Sequence, residues 1–98
     1  MNASRASEGA LFAICYDVSD DRERRRVDRV LSGYGFRVQR SVFECRLTAA
    51  DRRRLQTQLD AVALKTGHVK LYRVYGGTPA TLVGQPVENR DAVFSYCI

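Results

Sequence analysis

The stretch that most constrains the fold is ALFAICYD, residues 10–17, where seven consecutive apolar residues stop on a carboxylate. A membrane-spanning helix needs about 20 apolar residues, so this run cannot cross a bilayer. Its length, its isoleucine and aromatic members and its charged stop are those of a buried strand. Successive strand side chains point to opposite faces, so a strand apolar on both parities must be covered on both. The run is read as the first and central strand. In a chain of 98 residues helices can cover one face, and a second copy of the protein is the expected cover for the other. Asp17 marks where the strand leaves the sheet.

The remaining elements follow in order. Residues 1–9 are small and polar and read as a disordered lead-in. After Asp17, Ser19 or Asp20 can cap a helix, and Glu23, three places after Asp20, completes a capping-box pattern. Val27, Val30, Leu31 and Tyr34 then form one apolar helical stripe. Gly33 and Gly35 end that helix and lend freedom to the turn. Residues 36–39 and 41–47 read as a hairpin reversing at 39–41. Thr48 caps a second helix, 49 to about 65, with Leu55, Leu59, Val62 and Ala63 inward and Thr66-Gly67 as its break. A fourth strand, 68–75, closes on Gly76-Gly77. The order βαββαβ predicts an α+β, ferredoxin-like sandwich over residues 10–77, with both helices on one face and the other left bare. Residues 78–91 read as loop, and the apolar segment 92–98 as an extra strand that joins the sheet edge of a partner protomer.

Charge narrows the partners. Of 16 basic residues, all but Lys65 and Lys70 are arginine, and 11 acids leave a net charge of +5. Arginine's planar fork suits phosphate bidentately, which favours a nucleic-acid partner over simple solubilisation by charge. Arg22, Arg25, Arg26 and Arg29 lie opposite the apolar stripe of the first helix, with Arg24 on its flank, and Arg37 and Arg40 extend the set on the next strand. The alternative is a solvated face partly neutralised by Glu23 and Asp28. Cys15, Cys45 and Cys97 form no C-x-x-C pair or histidine cluster, as expected of a reduced, cytoplasmic chain that uses cysteine in its core. The first apolar run lacks the cleavage pattern of a secretory signal.

Asp17, Asp20 and Asp21 are the dense acidic cluster. Asp20 and Asp21 suit helix capping, which leaves Asp17 as the candidate metal ligand. Magnesium keeps several waters and needs one or two protein carboxylates, and a twin Asp17 across a two-fold axis would supply the second. Residues 32–39 share element order and a Gly-Tyr-Gly-Phe core with RNA-recognition domains. Ser32, Arg37 and Gln39 depart from that motif, so the segment reads as a helix stop and core anchor. His68 reads as structural, and no catalytic triad or phosphate loop can be assembled.

Tyr16-Asp17-Val18-Ser19-Asp20-Asp21, the arginine-studded 24–31, Gly33-Tyr34-Gly35 and above all Val38-Gln39-Arg40-Ser41-Val42-Phe43-Glu44-Cys45 resemble the CRISPR-associated Cas-two family. The likeness runs from residue 11 to 77. It implies a homodimer packed sheet to sheet, with the C-terminal strand crossing to the partner. It further implies that the dimer forms the centre of the Cas-one integrase complex, which captures foreign DNA in antiviral defence. Members are described as magnesium-dependent endonucleases on RNA or double-stranded DNA. The position carried over for metal and catalysis is Asp17, while Tyr16, Arg24, Arg26, Arg37, Ser41 and Phe43 match positions tied to substrate or activity. A non-catalytic DNA scaffold and a stand-alone, toxin-like RNase of the same fold are the competing expectations.

Overall fold

The computed structural model describes residues 9–76 and 83–85. The chain runs β1 (Ala10–Val18), α1 (Asp21–Ser32), β2 (Gly35–Gln39), β3 (Val42–Leu47), α2 (Ala49–Val62) and β4 (Gly67–Arg73). The four strands make one antiparallel sheet in the order β2-β3-β1-β4. β1 is therefore central, as its two-sided apolar sequence requires. This is the ferredoxin-like arrangement.

One strand parity builds the core. Phe12, Ile14, Tyr16 and Val18 of β1 join Phe43, Cys45 and Leu47 of β3 against Val27 and Leu31 of α1 and Leu55, Leu59 and Val62 of α2. Fully burying a side chain such as Leu31 or Leu55 contributes about 1.5–3 kcal/mol. Both helices thus lie on one face. The expectation of a bare second face holds only in part. Asp17, His68, Lys70 and Tyr72 are exposed there, whereas Ala13, Val42 and Glu44 are buried. Ala13 is flanked in register by Glu44 on β3 and Tyr72 on β4, so larger neighbours hem in the small central residue.

Three local readings need correction. Asp20 caps α1, its side chain accepting from the Glu23 N–H at 2.9 Å, but Glu23 does not return the bond. Its carboxylate instead accepts from the backbone N–H groups of Lys65 and Thr66, each at 3.1 Å, and from the Thr66 hydroxyl at 2.6 Å. The second helix stops at Val62 because Ala63 turns left-handed, at φ 56°, and so leaves the inner stripe. Gly33 stays right-handed at φ −77°, so it lends no special freedom. Gly35 is required by close approach: a Cβ there would lie 2.0 Å from the Glu44 carbonyl oxygen.

Gly67 imposes the same condition at the other side of the sheet. A Cβ on it would meet the Asp17 carbonyl oxygen at 1.9 Å, so only glycine lets β4 start flush against the end of β1. Gly9, assigned to the lead-in, is buried against Leu47, and its carbonyl accepts from Arg46 at 3.2 Å. The rest of the lead-in, the C-terminal strand at 92–98 and Cys97 lie outside the described residues. Among those described, no helix is long and apolar enough to cross a membrane.

Candidate functional site

A cleft of about 330 Å³ opens where the end of β1, the flank of α1 and the β2–β3 turn meet. Tyr16, Asp17, Val18, Arg24, Asp28, Arg37, Arg40 and Ser41 line it. The backbone assembles it: the Tyr16 N–H donates to the Ser41 carbonyl at 3.1 Å, tying the hairpin turn to the end of the first strand. The helix register then swings Arg24 and Asp28, one turn apart, over the same point.

Inside the cleft Asp28 is the hub. One carboxylate oxygen accepts from the Tyr16 hydroxyl and the other from Arg37 Nη2 at 2.7 Å. Arg37 also donates through Nη1 to the Arg40 carbonyl at 2.9 Å, and its guanidinium stacks 5.4 Å from the centroid of the Phe43 ring. Tyr16 is 5% exposed. Burial, then the bond to Asp28 and its charge, push the Tyr16 phenol up to about 12. At neutral pH it is a fixed donor and no proton acceptor. Arg24 is equally committed: Nη1 donates to the carbonyls of Val18 and Ser19, each at 3.0 Å, and the guanidinium pairs with Asp21 one turn earlier.

The site residues expected from sequence thus divide. Tyr16, Asp17, Arg24, Arg37, Arg40 and Ser41 converge on the cleft. Phe43 lies beneath it, 2% exposed, and reaches the cleft through Arg37. Arg22, Arg25, Arg26 and Arg29 stand away on the exposed side of α1. Among the described residues none of these four makes an ion pair. Arg26 and Arg29 instead rim a groove of about 290 Å³ over Val30, Gln58, Ala61 and Val62, between the helices.

Asp28 is the site residue that sequence reasoning missed. It reads as one acid diluting an arginine face, and only its flank position beside Val27 and Leu31, inside the protein's edge, hints at more. Asp17 is exposed at the end of β1 and stands opposite His68 in register. Among the described residues no three His, Cys, Asp or Glu side chains gather as a metal centre, and Asp28, the other acid lining the cleft, is already bonded to Tyr16 and Arg37. Burial, reinforced by the charge of Glu44, pushes the Cys45 thiol up to about 12, as expected of an inert core cysteine.

Comparison with known proteins gives this arrangement a family. Residues 10–78 match the family described as CRISPR associated protein Cas2. A CRISPR-associated endoribonuclease Cas2 of Mycobacterium tuberculosis is 31% identical over 86 residues, covering 87% of this chain and 76% of that protein. A CRISPR-associated endonuclease Cas2 of Thermus thermophilus is 39% identical over 85 residues, covering 83% and 91%. Among solved structures, a hypothetical protein from Thermus thermophilus superposes with a TM-score of 0.71 at 33% identity, over 82% of this chain and 99% of that one. A chain in a partial Cas6-RT-Cas1–Cas2 complex superposes with a TM-score of 0.54 at 30% identity, over 67% and 79%. A match spanning the whole sheet, both helices and the cleft-forming residues means that the chain belongs to the Cas2 family.

Proposed function

We propose that this protein works as a homodimer that grips nucleic acid by its phosphates, cleaves phosphodiesters with a metal held at Asp17, and forms the DNA-holding centre of a Cas1 integrase assembly. The observation that carries the reading is convergence: Tyr16, Arg24, Arg37 and Ser41, separate in sequence, line one cleft with Asp17 at its edge. The names of the relatives as endoribonuclease or endonuclease support the nuclease half. The Cas1–Cas2 complex among the similar structures supports the assembly half.

The donor set at Asp17 fits magnesium. The carboxylate is exposed, is a hard oxygen donor and makes no ion pair among the described residues. Asp17 and the same residue of a second protomer would hold the ion, which when bound supplies an activated water and neutralises charge on the phosphate. The chain's own groups orient the backbone. Arginines bind phosphate without reading bases, so the grip is indifferent to sequence. Tyr16 donates and cannot act as base, since its phenol is held at about 12. The half-buried Leu11 and Cys15 beside exposed Tyr72 give the second sheet face apolar surface for a partner protomer.

A scaffold without cleavage is the second reading, favoured by the sparse acid set: of the two acids lining the cleft, Asp28 is engaged by Tyr16 and Arg37 and Asp17 is left. Asp17→Asn separates the two. In the nuclease reading, magnesium-dependent cleavage of labelled RNA or duplex DNA falls to background while duplex binding persists. Cleavage that survives in the variant overturns the assignment of the metal to Asp17, and a wild type inert with and without magnesium leaves only the scaffold.

A further inference from the structure

Within the reading of the cleft as a phosphate grip, its three arginines are not equivalent. Arg24 already spends its guanidinium on the carbonyls of Val18 and Ser19 and on Asp21. Arg37 spends its own on Asp28 and on the Arg40 carbonyl, with the Phe43 ring 5.4 Å from its centre. Arg40, at the exposed hairpin turn, has its carbonyl bonded to Arg37, while its side chain has no ion pair among the described residues. A chain of bonds therefore runs from Asp28 through Arg37 to the backbone of Arg40.

We infer that Asp28 is the positioning residue of the cleft: it commits Arg37 and its charge to the protein frame, and so leaves Arg40, at the adjoining turn, as the phosphate-receiving side chain. Two features make Asp28 suited to this. Both of its oxygens are used, one by Tyr16 and one by Arg37, so the carboxylate has a single orientation. Tyr16 is itself buried in the core cluster, which anchors the series to the packed interior of the protein. Arg37 neutralised by Asp28 contributes little net charge to a bound phosphate. Arg40 keeps its full charge.

The response of binding to salt tests this, because each phosphate neutralised adds about 0.9 to the slope of log affinity against log salt on duplex DNA. Full-length wild type, Arg40→Ala, Arg37→Ala and Asp28→Asn are titrated against a short fluorescein-labelled duplex by anisotropy at several sodium chloride concentrations. Circular dichroism of each variant establishes that it is folded. Per cleft engaged, Arg40→Ala is expected to flatten the slope by about 0.9 and Arg37→Ala to leave it near wild type. Asp28→Asn, which frees the Arg37 charge, is expected to steepen it by about as much. A merely structural Asp28 would lower the melting temperature without moving the slope. The inference is overturned if Arg37→Ala flattens the slope as much as Arg40→Ala, or if folded Asp28→Asn has the wild-type slope. A wild-type slope near zero sinks the phosphate grip itself and this assignment with it, a result told apart from the others by the wild type alone.

Discussion

Among the described residues, two populations of arginine stand apart that the sequence does not distinguish. On the cleft side Arg24 and Arg37 are held by two or more bonds each, over a buried aromatic floor and beside a tyrosine that is 5% exposed. On the outer side of α1, Arg22, Arg25, Arg26 and Arg29 point to solvent without ion pairs among the described residues. The first population shapes a site and has little free charge. The second has free charge and no fixed shape. A count of basic residues therefore overstates the phosphate contacts a cleft can make and understates those a helix face can make.

The largest effect is expected where the cleft-side frame is tightest. Gly67→Ala forces a Cβ to within 1.9 Å of the Asp17 carbonyl, which only backbone movement can relieve. The cost is expected at about 3 kcal/mol or more in urea unfolding, at the upper end of overpacking effects. A near-wild-type midpoint would mean that the start of β4 can shift away from Asp17 freely. The outer population gives the next largest change, and it lies in binding. Replacing Arg22, Arg25, Arg26 and Arg29 together by glutamine is expected to remove roughly 3–4 units of salt slope, about a hundredfold of affinity change between 50 and 200 mM salt. Stability should barely move. An unchanged slope would hand the whole phosphate grip to the cleft.

Asp28→Ala sharpens the contrast from the other side. It strands a buried tyrosine hydroxyl and removes the anchor of a half-exposed arginine, so a loss of about 2 kcal/mol is expected in the same unfolding experiment. Arg25→Ala, on the outer face, should stay within about 0.5 kcal/mol. Equal losses would erase the distinction between the two populations.

The smallest expected effect concerns Glu23, on α1 between them. The Thr66 hydroxyl, and then the Lys65 and Thr66 N–H groups against a partial desolvation, hold the Glu23 carboxyl below its ordinary 4.5. Its folded value lies below its unfolded one, so its stabilisation is present above the unfolded value and is lost as pH falls through the folded one. Wild type and Glu23→Gln should differ in melting temperature near pH 6 and converge as pH falls below the carboxyl's ordinary 4.5 and through its lower folded value. A constant difference across that window would show that the carboxylate charge contributes nothing.

Much of this could be read from the chain. The two-parity apolar run of β1, the stripe of Val27, Val30 and Leu31 and the caps at Asp20 and Thr48 are local patterns, and each falls where its spacing predicts, whereas Tyr34, expected on the same stripe, packs against the core from the turn beyond the helix. Tyr16, Asp17, Arg24, Arg37, Arg40 and Ser41 were legible as candidate site residues, and they line one cleft. What escaped depended on partners distant in the chain. Glu23 has the spacing of a capping box, but a loop 42 residues away offers it three donors, more than the helix N-terminus does. Asp28 looks like a surface acid until the sheet brings Tyr16 and Arg37 to it.

The sequence alone determined which strand lies at the centre, which helix faces are apolar and how strongly basic the surface is, because hydrophobic period and charge are properties of neighbouring residues. Only the tertiary structure decided which arginines are spent on the protein and which make no ion pair among the described residues. A guanidinium's availability depends on acceptors within about 3 Å, and in this fold the acceptors of Arg37 come from a helix and a turn that reach it only when the sheet closes.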